Sequence, residues 1–246
     1  GSGQYAQQEQ AGGGAIIALA AAATNTAVYG IPDTWTVRTI CGLLFPFGLG
    51  LVIVTGAELF TGNCMLPLTL LEKKGGSAAL MVRNWALVFA GNALGSLLVA
   101  WLCVSCGQLD YSAGALAVYT IRVGAAKCAL PFGNALGLGV LCNLLVCLGV
   151  LAAASARETP GRLMGAFLPV CFFVLCGFEH SVANLYYIGA AQMAAAVPQY
   201  ASLAAAAGVD LAPLTLTGAA ANLIPVTLGN ILGGAGLALL LWYCHL

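Results

Sequence analysis

The sequence predicts an all-helical integral membrane protein with six transmembrane helices, arranged as two inverted three-helix repeats whose second and fifth helices are broken. Three observations carry this expectation. Of 246 residues, 61% are apolar and only 7% charged, whereas soluble domains carry roughly a quarter charged residues, so there is too little charge to cover a water-facing surface. Apolar stretches such as Leu80 to Ser105 and Leu136 to Ala156 reach the roughly 18 to 20 residues that cross a hydrocarbon core as a helix. The segment GAELFTGN, Gly56 to Asn63, returns as GFEHSVAN, Gly177 to Asn184, and both interrupt long apolar runs.

Hydropathy and punctuation place the spans at about Gly12 to Tyr29, Arg38 to Leu71, Leu80 to Gly107, Phe132 to Ser155, Arg162 to Ala196 and Ala219 to Tyr243. The second and fifth are too long for one crossing at about 1.5 Å per residue. Both carry polar residues at their middles, so each is expected to break, the second near Thr61 to Asn63 and the fifth near Glu179 to Ser181. A second repeat agrees: Asn84, Gly91, Asn92, Leu94 and Gly95 return at the same spacing as Asn222, Gly229, Asn230, Leu232 and Gly233.

The chain therefore reads as one transmembrane domain over residues 1–246, with 1–125 holding the first repeat and its following loop and 126–246 the second. Three spans per half force the halves to run oppositely, which brings the two breaks together near the midplane. Non-helical backbone at that depth is tolerated where it is buried in protein or lines a polar cavity, so the breaks are expected to flank one pathway.

Lys73, Lys74, Arg83, Arg157 and Arg162 flank the links after spans two and four, while Arg38, Arg122 and Lys127 lie toward the other side. The positive-inside bias places the first group, and both termini, in the cytoplasm of a cell whose inner (plasma) membrane holds the protein. Gly1 to Gln10 lacks the basic start and cleavage site of a signal peptide. Net charge is zero and the basic residues are scattered, which leaves no footprint for nucleic acid. The ten cysteines fall mostly within apolar runs and read as small hydrophobes, not as ligands for a metal, and no cofactor motif occurs.

Ionisable residues within a membrane are costly enough to mark function, and the breaks hold Glu58, Glu179 and His180. His180 is the only histidine inside the apolar spans and the only group there whose unperturbed titration lies near neutrality. The other histidine, His245, ends the chain. Glu58 and Glu179, at equivalent places in the repeats with Asn63 and Asn184, are expected to support the breaks by accepting freed backbone N–H groups. Thr61 and Asn143 can donate hydrogen bonds to a small oxyanion. Phe45, Leu49, Phe60 and Phe173 read either as ordinary core or as dry constrictions.

At these residues the chain resembles the formate/nitrite transporter family, carried by GAELFTGN, CNLLVCL, GFEHSVANLYYI and NLIPVTLGNILGG in that order. The resemblance implies an aquaporin-like six-helix protomer, homopentameric assembly, and passage of formate first, or nitrite or hydrosulfide, through one pore per protomer. It also implies that His180 is the central histidine with Asn143 beside it, that Thr61 lies on the interrupting loop, and that Lys127 is a cationic vestibule residue. Phe45 and Leu49 would form the cytoplasmic constriction, Phe60 and Phe173 the periplasmic one. Small-residue faces such as Gly91 with Gly95 and Gly229 with Gly233 are expected to favour close helix packing between protomers or within one. A neutral-solute channel would carry paired NPA motifs, and a membrane enzyme a nucleophile with its base; the sequence has neither pattern.

Overall fold

The computed structural model describes residues 2–71 and 77–244, with side chains from residue 10 onward. Lys73, Lys74 and His245 lie outside the described residues. Six spans are long and apolar enough to cross a membrane among the described residues, at Gln10–Val28, Thr34–Thr55, Ala78–Ser105, Phe132–Ser155, Thr159–Cys176 and Leu216–Cys244.

The first repeat begins with α1 (Ser2–Val28), which starts ten residues before the expected span. It continues through α2 (Thr34–Leu44), α3 (Pro46–Thr55), the short α4 (Phe60–Asn63) and α5 (Pro67–Leu71), and ends with α6 (Ala78–Ser105). Asp33 starts α2 by accepting the Thr36 N–H at 2.7 Å, and the Thr36 hydroxyl and N–H together hold its carboxyl below the usual range. A bridging helix α7 (Tyr111–Cys128) leads to the second repeat: α8 (Phe132–Ser155), α9 (Thr159–Cys176), α10 (Ser181–Ala195), α11 (Pro198–Ala206) and α12 (Leu216–Cys244). The pairing of α1 on α6 is repeated by α8 on α12, and α3 meets α9 between the halves.

Gly56 and Gly177 explain why both long spans stop where they do. Each sits in the left-handed region, at φ 74° and 70°, and the next residue's N–H reaches back five positions, Ala57 to the Val52 carbonyl at 3.1 Å and Phe178 to the Phe173 carbonyl at 3.0 Å. That is the same Schellman-type cap twice, and a side chain at either glycine would strain it. The break in the second span is consequently Gly56 to Leu59. Thr61 to Asn63, where the interruption was expected, already belong to the first turn of α4. In the fifth span the break runs from Gly177 to His180.

The small residues of α6 and α12 serve packing within the protomer. A Cβ at Gly95 would stand 2.1 Å from the Ala11 carbonyl oxygen, and one at Gly229 or Gly233 would stand 2.3 or 2.4 Å from carbonyls of α8. Gly91 likewise faces Gln10 of α1. These faces bring backbones together inside each repeat, and so supply no argument for contact between protomers.

A smaller core lies around Leu109, Leu116, Ile121 and Tyr200, outside the spanning segments of α8 and α12. There the Tyr200 hydroxyl donates to Asp110 at 2.5 Å, which with burial pushes the phenol up to about 12. Next to it, Ser112 and Ala113 hold left-handed backbone at φ 52° and 55° before Gly114. An L-residue there costs about 1–2 kcal/mol. Ala113→Gly is expected to stabilise the protein by about 0.5–1 kcal/mol, read as a higher melting temperature in detergent; an unchanged or lower value would show that the turn is not strained.

Candidate functional site

Both breaks are built by the same device. After the first break, the Phe60 N–H donates to Asn92 Oδ1 at 2.9 Å, and the Asn92 amide donates back to the carbonyls of Glu58 at 3.0 Å and Gln10 at 2.6 Å. After the second, the Ser181 N–H donates to Asn230 Oδ1 at 2.9 Å, and its amide donates to the carbonyls of Glu179 at 3.1 Å and Gly139 at 2.8 Å. Each asparagine thus satisfies groups that a broken helix leaves orphaned in a medium without water. A second pair repeats as well: Asn63 donates to Asn84 at 2.9 Å, and Asn184 to Asn222 at 2.8 Å.

This corrects the part expected of the glutamates. Among the described residues neither the Glu58 nor the Glu179 carboxylate accepts a freed backbone N–H, and Oε2 of Glu58 is buried without a hydrogen-bond partner. The Glu179 carboxylate receives Lys127 Nζ at 2.8 Å and Asn184 at 2.5 Å. An amide clamps a break better than a carboxylate because it can accept an N–H and donate to two carbonyls at once. The signal was present in the sequence as the Asn84–Asn92 and Asn222–Asn230 repeat.

His180 and Leu59 occupy the equivalent last positions of the breaks, both in extended backbone. His180 Nδ1 accepts the Ala183 N–H at 3.1 Å, so that nitrogen carries no proton. In the neutral ring the proton therefore sits on Nε2, which faces the Thr61 hydroxyl oxygen at 3.1 Å. Thr61 then accepts from histidine and keeps its own hydroxyl proton for a third partner. At this pair the structure brings the first turn of α4, just past the first break, into direct contact with the second break.

Asn143 lies beside them but is otherwise engaged than expected. Its amide donates to the carbonyls of Thr61 at 3.0 Å and Asn230 at 2.6 Å, tying the first turn of α4 to the clamp of the second break. With both donor hydrogens used, it keeps only its buried Oδ1, which has no hydrogen-bond partner among the described residues.

On one side of His180 opens a cavity of about 280 Å³, walled by Arg38, Phe45, Tyr119, Lys127, Phe173 and Glu179 among others. Lys127 is not a free cation there: it is paired with Glu179 and lies 5.3 Å from the Tyr187 ring centre. Arg38, donating to the Leu175 carbonyl at 3.0 Å, has no acidic partner among the described residues. The net positive charge of this vestibule is therefore carried by arginine, where the sequence reading assigned it to Lys127.

Beyond His180 the passage between Ile17, Leu49, Leu59, Val146 and Val170 leaves no room for a water molecule. Phe45 and Phe173 meet edge to face with centroids 6.0 Å apart, and Phe173 stacks on His180 at 5.9 Å. They form one ring at the vestibule floor, so the expected division of Phe45 with Leu49 against Phe60 with Phe173 does not hold. Phe60 turns away to pack on Phe89 at 5.1 Å. Its neighbour Leu59, not singled out from the sequence, takes the place on the passage because clamping by Asn92 turns residue 59 inward.

The family model described as formate/nitrite transporter matches residues 11–244. The chain belongs to the formate/nitrite transporter family. It is 38% identical over 226 residues to a probable formate transporter of Methanothermobacter thermautotrophicus, covering 85% of this chain and 76% of that one. It is 35% identical over 230 residues to the formate channel FocA of Haemophilus influenzae, covering 90% and 80%. Among solved structures it is similar to a pentameric formate channel with formate bound, with a TM-score of 0.86 and 31% identity over 99% of this chain and 97% of that chain. As a formate/nitrite transporter family member with six spans, the chain is a multi-pass membrane channel or transporter for small monovalent anions or their conjugate acids, and the broken second and fifth helices belong to that shared fold.

Proposed function

We propose that the chain conducts formate across the plasma membrane as formic acid or as the anion, through one pore in each protomer of a homopentamer with cytoplasmic termini. The observation that carries this reading is a vestibule ending in a dry passage that is apolar among the described residues except for His180, which is bonded to Thr61 behind it. A bare anion loses several kcal/mol of solvation in such a passage, and a neutral weak acid avoids most of that cost. The Thr61 hydroxyl, oriented by His180 from behind the vestibule floor, donates to the carboxylate as the solute passes the histidine, while the proton comes from hydronium of the external solution, relayed through vestibule water that is left unchanged. His180 does not give up its own Nε2 proton, because Nδ1 is held as an acceptor by Ala183. Nitrite and hydrosulfide share the needed charge, size and weak-acid chemistry; the formate-binding relatives favour formate. Flux into proteoliposomes should rank formate above lactate and leave glycerol at the background of empty vesicles. Glycerol passage as fast as formate would overturn the reading in favour of a neutral-solute channel.

Vestibule electrostatics give a second test. Because Lys127 is neutralised by Glu179, Arg38 supplies the attraction that raises local anion concentration. Arg38→Gln should lower formate flux at low ionic strength by about threefold to tenfold, and the gap to the native protein should close in high salt, where the Debye length falls to about 3 Å. A deficit that persists in high salt would assign Arg38 a packing role over Gly177 instead.

A further inference from the structure

The two asparagine clamps are alike in every bond, yet what they present to the pore differs. Asn92 holds both neighbours of Leu59 through the Glu58 carbonyl and the Phe60 N–H. Asn230 holds both neighbours of His180 through the Glu179 carbonyl and the Ser181 N–H. Both asparagines are fully buried, and Leu59 and His180 face the same closed passage. We propose that Asn92 and Asn230 are paired positioning residues with separate outputs: Asn92 sets how wide a solute the passage admits, by fixing Leu59, and Asn230 sets how the passage responds to protons, by fixing His180.

The reasoning is geometric. The residue at the end of each break enters the helix only through its carbonyl, which accepts from Asn63 in the case of Leu59 and from Asn184 in the case of His180, so its side-chain direction also follows from how the groups on its other side are held. In each break those groups end on one amide, which spends its single oxygen and both amide hydrogens on them and on the preceding helix. Loosening one clamp frees one pore-facing side chain and leaves the other clamp's bonds in place. The clamps are nonetheless linked, since Asn143 joins the Thr61 carbonyl to the Asn230 carbonyl. That link runs through backbone oxygens, which serine at position 230 would retain.

The outputs rest on the transport reading above, so the test includes a measurement that does not. Only two histidines occur in the chain, which makes nitrogen-15 spectra of histidine-labelled protein in bilayers assignable, with His180→Asn identifying the central one. Native protein should show the His180 proton on Nε2. Asn230→Ser should move the His180 signals toward a mixture of tautomers, and Asn92→Ser should leave them in place. In proteoliposomes, Asn230→Ser should flatten the rise of formate flux between pH 8 and pH 6, and Asn92→Ser should raise the lactate-to-formate flux ratio about tenfold while the pH profile keeps its native shape. Should Asn230→Ser fail to give monodisperse protein, Asn230→Asp, which keeps the acceptor for the Ser181 N–H, carries the same expectation.

Unchanged His180 spectra in the position 230 variants, or equal spectral shifts from both clamps, would overturn the proposal and reduce both residues to general support. Absence of formate flux in the native protein would instead remove the transport reading, and the spectra would still decide whether Asn230 positions His180.

Discussion

Formate uptake by His180→Asn proteoliposomes is expected to lose its dependence on external pH, and uptake at pH 6 should fall about tenfold or more. The argument begins at Ala183, whose N–H occupies Nδ1 and so directs the Nε2 proton at Thr61. Without that bond the threonine hydroxyl is free to turn, and its proton is no longer held in place for a carboxylate passing the histidine position. Oriented donors in dry sites are worth about 10²- to 10³-fold where charge develops, and partial replacement by an asparagine amide places the expected loss toward the lower end. Asparagine is a good N-cap and can still accept the Ala183 N–H, so the fold should persist. Anion current through the variant should survive or rise, because the floor no longer favours the protonated solute. An unaltered pH profile at matched levels of folded protein would remove His180 from the mechanism.

Thr61→Val tests the same pair from the other side. It preserves shape and removes the hydroxyl, leaving the His180 Nε2 proton without its acceptor in a fully buried place. It should therefore resemble His180→Asn in transport and cost in addition about 1–3 kcal/mol of stability for the unsatisfied donor. A variant with normal flux and normal melting would show that the 3.1 Å contact contributes to neither.

The architecture was legible because it is written in bulk properties and in repeats. Hydropathy fixes six spans, and the recurrence of glycine, glutamate and asparagine in the two octets fixes their relation. The position of the first break was not legible, for a local reason: Thr61, Gly62 and Asn63 are poor helix formers by composition, but the break is set earlier by the left-handed Gly56 and ended by a bond from Phe60 to a residue 32 positions away. His180 and Thr61 were legible as polar residues in an apolar span, yet their contact is 119 positions distant and depends on the inverted arrangement. Leu59 was missed because a leucine in a hydrophobic run carries no signal; it is visible only as the partner of His180 in the aligned octets. Lys127 was seen as a charge, while the carboxylate that cancels it was assigned to another task.

That cancellation leads to the second large effect, expected for Lys127→Met. The ammonium and the Glu179 carboxylate lie 2.8 Å apart with side-chain exposures of 17% and 9%, so neither is well solvated. Removing one partner of a buried pair leaves a charge that Asn184 and Asn222 only partly satisfy, which destabilises by about 3–5 kcal/mol. It also places an uncompensated negative charge beside His180 on the route of the anion, and formate flux should fall at least tenfold per folded protomer. Glu179→Gln reverses the electrostatics: Lys127 becomes a free cation in the vestibule, so formate should bind there more tightly and flux should saturate at lower concentration. The double variant, Lys127→Met with Glu179→Gln, removes both charges and keeps an amide that can accept from Asn184. Its stability should return to within about 1 kcal/mol of the native protein and most of the flux lost in Lys127→Met should be regained. If the double variant remains as inactive as Lys127→Met although it melts like the native protein, the lysine charge itself is required for conduction, and the pairing with Glu179 serves to hold that charge in place and not to cancel it.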